Sequence, residues 1–248
     1  MKQQGYSELM TLATTSFNRQ ADVVECELTQ QSRQKIEDCL PSELCQFLIN
    51  TYEQNNALLN SKTLSKEIIS LILNNPEVDK AAISYLKSEY MPLWYEVNKS
   101  TDQDSVAHVS YKWHCDGGPE KHLKIIVYLN SMSEHNGATL LADIETTRNL
   151  KEAGYIFNDP GFRQADLTAL TQEFNLPHNT EFFELNSGDA IIFNPYDLAH
   201  RGQAPNAGTP RYVLTLCLVQ SPMCWKECIE NIYYPVYHCD HWTNVSPL

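Results

Sequence analysis

Apolar positions along the chain follow two periods, and the change from one to the other falls near residue 91. From Ser32 to about Tyr90 the spacing is helical. Leu44, Phe47, Leu48 and Tyr52 share one face of a helix that Ser42 is placed to cap, since a serine oxygen accepts from the free amides of a first turn. Ile68, Ile69, Leu71 and Ile72 line a second helix, with Ser65 as its cap and Asn74-Asn75-Pro76 as its stop. Val78, Ala81, Ile83, Tyr85 and Leu86 line a third, from Glu77 to Tyr90. Stripes of this kind read as a helical layer covering a sheet. Residues 1–31 are mixed and polar, and Val23 to Leu28 is the candidate first strand.

After Met91-Pro92 the period shortens to two. Leu93 to Asn98 reads as a strand, then Val106 to Asp116, stopped by Gly117-Gly118-Pro119, then Leu123 to Leu129. Asn136-Gly137 turns the chain into Ala138 to Ala142. Residues 143–180 are a long excursion, helical over Gln164 to Phe174, and serve either as decoration or as a cover over a bound molecule. Glu181 to Leu185, Ala190 to Pro195 and Arg211 to Val219 complete the strands. In the last of these Tyr212, Leu214, Leu216 and Leu218 make a bulky face suited to covering helices. Arg211, Val213, Thr215 and Cys217 make a slimmer face that leaves room for a cavity, with the charge at its mouth. Seven or eight short strands behind a helical layer predict a mainly β fold, a double-sheet jelly roll (a cupin-like double-stranded β-helix) with the N-terminal helices packed on one sheet. The expected organisation is one domain over residues 1–248: a helical layer (1–91), a jelly-roll core (92–220) carrying the insertion 143–180, and a tail (221–248) packed on the core.

Composition narrows the partners. The chain of 248 residues has 31 acidic and 18 basic side chains, a net charge of -13, which argues against nucleic acid and against an anionic membrane surface. Met1 to Gln20 contains no apolar run of signal-peptide length, and nowhere is there the run of about 18 apolar residues that a membrane span needs. Eight cysteines scattered through a chain long enough to build a core point to reduced thiols and a cytoplasmic setting. Cys224 and Cys228, followed by His238-Cys239-Asp240-His241, supply zinc ligands in principle, but their spacing fits no standard zinc pattern, and Tyr233 to Tyr237 reads as a tail packing on the body.

Candidate chemistry centres on Tyr111-Lys112-Trp113-His114-Cys115-Asp116-Gly117-Gly118. On a strand, His114 and Asp116 project to one face while Trp113 and Cys115 turn away. An imidazole and a carboxylate so placed can hold a metal, and His200 is the strong candidate for a third ligand. Each residue also has a plain structural role open to it. His114 is a possible strand histidine, Asp116 a turn residue before glycine, His200 a rim residue and Arg211 half of a surface ion pair. His108, His122, His135 and His178 have no partner at ligand spacing.

Taken in order, Trp113-His114-Cys115-Asp116, Leu129-Asn130, Asn136-Gly137-Ala138, Gly188-Asp189-Ala190-Ile191-Ile192-Phe193, and His200 with Asn206 and Arg211 behind it, the sequence resembles the iron(II)/2-oxoglutarate-dependent oxygenases, specifically the phytanoyl-CoA dioxygenase-like branch, over roughly residues 92–220. The resemblance implies that His114, Asp116 and His200 are the catalytic iron(II) ligands and that Arg211 pairs with the distal carboxylate of 2-oxoglutarate. It implies a dioxygenase that uses O2 to hydroxylate an unactivated C–H of a small molecule, releasing succinate and CO2. Desaturation, ring formation and epimerisation belong to the same chemistry. Asp116 stands where a glycine or alanine would open a halide site, which favours hydroxylation over halogenation. Tyr128 is either a second contact to the co-substrate carboxylate or a core residue; Arg201 competes with Arg211, which the family's spacing favours, and is left as a substrate contact or half of a structural pair. Tyr95, Glu96, Lys112, Arg148, Lys151 and Arg163 are candidate substrate walls. Gly202 departs from the hydroxyl residue that this branch often carries two positions after the second histidine. The rival readings are an oxygenase acting on a protein side chain and a non-catalytic metal-binding jelly roll, for which an anchor such as Arg211 has no use.

Overall fold

Arg211–Ser221 is buried at every one of its 11 positions, so both faces of this strand must be covered. A computed structural model describes residues 3–104, 109–133, 136–157, 159–232 and 236–237. Its elements run α1 (Gln3–Ser16), α2 (Glu27–Gln31), β1 (Arg33–Ile36), α3 (Ser42–Asn55), α4 (Lys62–Leu73), α5 (Pro76–Leu86), β2 (Glu89–Ser100), β3 (His122–Tyr128) and β4 (Leu140–Ala142). There follow α6 (Ile144–Glu152), α7 (Leu167–Glu173), β5 (Thr180–Glu181), β6 (Ala190–Phe193), β7 (His200–Arg201), β8 (Arg211–Ser221), α8 (Trp225–Glu227) and β9 (Val236–Tyr237). None of the described helices is long and apolar enough to cross a membrane.

The strands form a six-stranded sheet in the order β1-β6-β3-β8-β2-β9 and a three-stranded sheet β5-β4-β7. All pairings are antiparallel except β2 with β9. Alternation along the large sheet assigns its faces. Leu123, Ile125 and Val127 of β3, Ile192 of β6 and Tyr212, Leu214, Leu216 and Leu218 of β8 share one core with Leu48 of α3, Ile68, Ile69 and Ile72 of α4 and Val78 and Ile83 of α5. Burying each such side chain stabilises the fold by about 1.5–3 kcal/mol. The opposite face, with Ile126, Tyr128, Ile191, Phe193 and Val213, packs against Leu141 of the small sheet. This is the jelly-roll arrangement of two facing antiparallel sheets, with helices on the outer face of the larger one.

Several local expectations give way. Ser61, not Ser65, caps α4, accepting from the Leu64 amide at 3.3 Å. Ser65 sits one turn inside and donates to the Ser61 carbonyl at 2.9 Å. Ser42 is the first residue of α3, preceded by Pro41, and makes no side-chain cap. Val23 to Leu28 forms no strand; α2 begins at Glu27, and the first strand is Arg33–Ile36, pairing Arg33 with Phe193 at the edge of the large sheet. The expected strand from Val106 to Asp116 shrinks to a 3-10 turn at Val109–Tyr111 and a single bridge at His114, while residues 105–108 lie outside the described residues. The insertion carries α6 and α7 and builds its own cluster, in which Leu150, Phe157, Leu167 and Leu170 pack on Trp113 and Cys115. Cys224 and Cys228 are free thiols, and the cluster His238-Cys239-Asp240-His241 lies outside the described residues.

Candidate metal centre

The two histidines are brought together by backbone pairing. Leu141 of β4 pairs with His200 of β7 on one side. On the other side His114 bridges His200, its amide donating to the His200 carbonyl at 3.0 Å and receiving the reverse bond at 2.8 Å. Directly opposed residues in such a bridge hold their side chains together, and the two imidazoles lie 4.3 Å apart, centroid to centroid. Two residues on, the Asp116 amide donates to the Pro195 carbonyl at 2.8 Å, which turns its carboxylate toward the rings. Asp116 Oδ1 is 3.6 Å from Nε2 of His114 and 3.6 Å from Nε2 of His200. The three ligand atoms lie within 4.8 Å of one another.

Protonation follows from the partners. His114 Nδ1 lies 2.7 Å from the Lys112 carbonyl and His200 Nδ1 lies 3.0 Å from the Leu198 carbonyl. A carbonyl only accepts, so each Nδ1 carries the proton and each Nε2 turns a lone pair to the centre. Burial pushes the His114 pKa down to about 4, with Lys124 and Arg163 adding to the effect, and pushes His200 well below the ordinary range with help from His114. Both rings are therefore neutral at neutral pH. Burial alone would raise the Asp116 pKa, but the Lys124 ammonium on Oδ2 and the two imidazoles outweigh it and hold the carboxylate below its usual range. His200 Nε2 is buried with no hydrogen-bond partner. An unmet lone pair at that depth is costly in a folded protein, and a metal ion at this point satisfies it. The donor set of two imidazoles and one carboxylate, with one side chain 27% exposed and the histidines 5% and 4% exposed, suits a divalent first-row metal with positions left open.

Lys124 was not among the sequence candidates. It comes from the inward face of β3 and pairs with Asp116 Oδ2, leaving Oδ1 for the centre. The signal available in the sequence was a charge at an inward position of an otherwise apolar strand.

Arg211 opens β8 and is 7% exposed. Its Nη2 donates to Thr139 Oγ1 at 3.2 Å, and the guanidinium lies 5.4 Å from the centre of the Tyr128 ring. Tyr128 faces inward, donates to Thr139 Oγ1 at 2.7 Å and accepts from the Thr139 amide at 3.0 Å. Arg211 Nε has no partner, and no carboxylate among the described residues lies within ion-pair distance of this side chain. A Cβ at position 202 would lie 3.4 Å from Arg211 Nη1, so Gly202 leaves that side of the guanidinium clear.

The substrate candidates separate. Tyr95 is a correction: it is fully buried on the helix side of the large sheet, with its hydroxyl bonded to the Leu59 carbonyl. A β-bulge between Pro92 and Trp94 shifts the alternation by one residue, so Glu96, opposite Thr215, takes the inward face. The Lys112 side chain is exposed, and this residue serves the centre through its carbonyl. Arg201 donates through Nη1 to the Ala165 carbonyl and lies 5.8 Å over the Trp113 ring. Lys151 is engaged with the Tyr196 carbonyl at 2.7 Å, and Arg148 is exposed.

No family model matches the chain, and no curated protein matches it. Solved structures do resemble it. The non-haem α-ketoglutarate-dependent carbocyclase SnoK from nogalamycin biosynthesis superposes with a TM-score of 0.57 at 13% identity, over 92% of this chain and 93% of that one. The epimerase SnoN from the same biosynthesis gives 0.54 at 12%, over 86% and 84%. EctD from S. alaskensis, with bound Fe, gives 0.54 at 14%, over 82% and 78%. At such identities the likeness is one of fold: the chain has the architecture in which these non-haem enzymes are built, with a His-Asp-His cluster of its own.

Proposed function

We propose that the chain is a non-haem iron(II)- and 2-oxoglutarate-dependent oxygenase that hydroxylates a C–H bond of a small molecule. The observation that carries this reading is the convergence of His114, Asp116 and His200 on one point, on the same inward side as a buried arginine that has no acidic partner. In this reading His114 Nε2, His200 Nε2 and Asp116 Oδ1 hold iron(II), and Lys124 keeps the second Asp116 oxygen occupied so that the carboxylate offers one atom. Arg211, steadied by Thr139 and the Tyr128 ring, takes the distal carboxylate of 2-oxoglutarate. When bound, iron(II) supplies the reaction of O2 with 2-oxoglutarate that oxidises a substrate C–H and leaves succinate and CO2. The chain's own contribution is orientation and exclusion of water, with the insertion packed on Trp113 and Cys115 covering the back of the segment that carries His114 and Asp116.

The carboxylate of Asp116 fills the place a halide would need, which favours hydroxylation over halogenation. Small molecules as substrates are supported by two relatives of the same fold, EctD solved with 2-oxoglutarate and 5-hydroxyectoine and SnoN with Fe3+, α-ketoglutarate and nogalamycin RO. A single catalytic domain is supported by the core that the large sheet shares with α3, α4 and α5. A cytoplasmic setting is supported by the described cysteines, all of them free thiols.

The test is an anaerobic titration of the metal-free protein with iron(II) and 2-oxoglutarate. A visible charge-transfer band should form and should be lost in His114→Ala and His200→Ala. Absence of the band in the wild-type protein at saturating ligands refutes the reading. A product that gains one oxygen atom then separates hydroxylation from cyclisation and epimerisation.

A further inference from the structure

Directly opposed residues of an antiparallel ladder share a face of the sheet, so the register of the large sheet fixes which side chains join Lys124 on its inward face. Lys124 lies opposite Cys217, and Cys217 opposite Trp94. In the next inward row Ile126 lies opposite Thr215 and Thr215 opposite Glu96. In the row after that, Tyr128 lies opposite Val213 and Val213 opposite Asn98. Arg211 heads β8 on the same face. This face also carries the metal centre: Lys124 holds Asp116, and Phe193, opposite Lys124 on β6, packs its ring 5.0 Å from that of His200.

The centre therefore stands over β3 and β6, at the edge of the small sheet that the His114 bridge extends beyond β7. The large sheet runs on past it through β8 and β2. Exposure marks a space above these strands. Ile126, Val213 and Thr215 keep 6%, 5% and 8% of their surface exposed, whereas Ile125, Val127, Leu214 and Leu216, on the helix-covered face of the same strands, keep 0%. Along β2 the inward Glu96 and Asn98 are half-buried, and their outward neighbours Tyr95 and Val97 are buried. The floor of the space is apolar at Ile126 and Val213, and its far side offers acceptors: the Glu96 carboxylate, the Asn98 amide oxygen and the Thr215 hydroxyl. Glu96 is two strands and two residues from Lys124, about 12 Å between Cα positions at ordinary strand spacing, so one small molecule can span the wall and the centre. The cations of this face lie elsewhere, Lys124 on Asp116 and Arg211 beside Thr139.

We propose that Glu96, with Asn98 and Thr215, binds a protonated amine of the substrate, whose aliphatic body lies on Ile126 and Val213. An ammonium carries three donors and no acceptor, the complement of these three groups, whereas an anionic substrate would meet the Glu96 charge with its own. The face thus has two poles, Arg211 for the anionic co-substrate and Glu96 for a cation. That the amine belongs to the substrate rests on the oxygenase reading; the ammonium pocket itself rests on the register and the exposure of these residues.

The test uses the full chain with iron(II) and saturating 2-oxoglutarate under anaerobic conditions, titrated calorimetrically with hexylamine, hexanol and hexanoate. Hexylamine should bind, with hexanol and hexanoate at least about tenfold weaker. Glu96→Gln, which keeps the size of the side chain, should weaken hexylamine at least about tenfold while leaving hexanol and 2-oxoglutarate affinities unchanged, read at an unchanged unfolding temperature. Asn98→Asp, which adds a second carboxylate to the same wall, should tighten hexylamine. Equal hexylamine affinity in wild type and Glu96→Gln overturns the proposal, as does hexanol binding as tightly as hexylamine, or no hexylamine binding at millimolar concentration. Should Glu96→Gln fail to fold, Asn98→Asp decides, and an unchanged hexylamine affinity there overturns the proposal. Should iron and 2-oxoglutarate fail to bind at all, the oxygenase reading falls, and the same titration of the metal-free chain still decides the ammonium pocket.

Discussion

Replacing Arg211 by methionine should move stability and ligand affinity in opposite directions. In the ligand-free protein its guanidinium holds one hydrogen bond to Thr139 at 3.2 Å and lies 5.4 Å over the Tyr128 ring. The first contributes on the order of 1 kcal/mol, and the second about 0.5–2 kcal/mol. Against them stands the desolvation of a charge that is only 7% exposed and has no carboxylate to pair with, a penalty of several kcal/mol for a buried ion. Arg211→Met keeps most of the stem volume and removes the charge, so the ligand-free variant should be as stable as wild type or more stable by about 1–2 kcal/mol. Binding should suffer: losing the partner of a buried carboxylate costs about 2–5 kcal/mol, which is a Kd raised about 30-fold to a few thousand-fold. Saturation with 2-oxoglutarate at about 100 times Kd stabilises the wild-type protein by about 2.7 kcal/mol, and at the same concentration that gain should fall to about 0.9 kcal/mol or less in the variant. Urea unfolding with and without 2-oxoglutarate, together with an equilibrium titration, measures both quantities. Unchanged affinity would hand the co-substrate to another residue, with Arg201 the first to examine. A ligand-free stability loss as large as the binding loss would make Arg211 a structural residue, and the reasoning above would be wrong.

Tyr128→Phe removes the acceptor of the buried Thr139 amide and should cost about 1–3 kcal/mol in urea unfolding; no loss would mean that the amide finds another acceptor. Gly188 has φ +95° and its amide neighbourhood is closed by Leu40, whose N–H donates to the Gly188 carbonyl at 3.0 Å. Gly188→Ala would drive a methyl into the Leu40 carbonyl and should lose more than about 1 kcal/mol by thermal unfolding, a result that an unchanged midpoint would contradict. The metal-free protein should also lose stability as pH falls. The His114 pKa is about 4 when folded against 6.5 ordinarily, so the unfolded chain takes up the proton first, and stability falls between pH 6.5 and 4 by on the order of 3 kcal/mol from this residue. His200 acts in the same direction. Asp116, with a lowered folded value, gives up its contribution only below its ordinary 3.8, so the two windows are distinct. Constant stability from pH 7 to 4.5 would show that the histidines are not held neutral by the fold.

How much of this was legible in the sequence depended on whether a local rule or a distant partner decided the matter. The faces of β8 were legible because strict alternation of Tyr212, Leu214, Leu216 and Leu218 with Arg211, Val213, Thr215 and Cys217 leaves one solution for a strand covered on both sides. The pairing of His114 with His200 was legible only as order along the chain; the bridge that enforces it is a contact between residues distant in sequence, and the strand expected around it is only a 3-10 turn at Val109–Tyr111 and that one bridge. Tyr95 failed for a different reason. Counting by twos from Met91 puts it on the inward face, and a single bulged residue before Trp94 reverses the count. Ser61 and Ser65 are both placed to cap a helix, and the choice falls to Ser61 because the extra turn brings Leu64 against the core. Lys124 is a charge at an inward position of β3 that asks for a buried partner, and only the fold shows that Asp116 is that partner.

A net charge of -13 says little about the centre, where the balance is reversed. With both imidazoles neutral, the anion among the three ligands is Asp116, and Lys124 already compensates it. A dication placed between them, with Arg211 behind, leaves the cavity strongly positive, and the buried surroundings screen that charge poorly. A dianion that spans the metal and Arg211 relieves both excesses at once. Metal and 2-oxoglutarate should therefore bind cooperatively, each tightening the other by the same factor, because linkage makes a coupling free energy reciprocal. The coupling should shrink when Arg211 becomes methionine, since less positive charge then remains for the co-substrate to offset. It should grow when Lys124 is kept and Asp116→Asn removes the anionic ligand, although the metal itself then binds more weakly. Metal titrations with and without 2-oxoglutarate in these variants read the effect, and independent binding in the wild-type protein would show that the cavity is charge-balanced by groups other than these four.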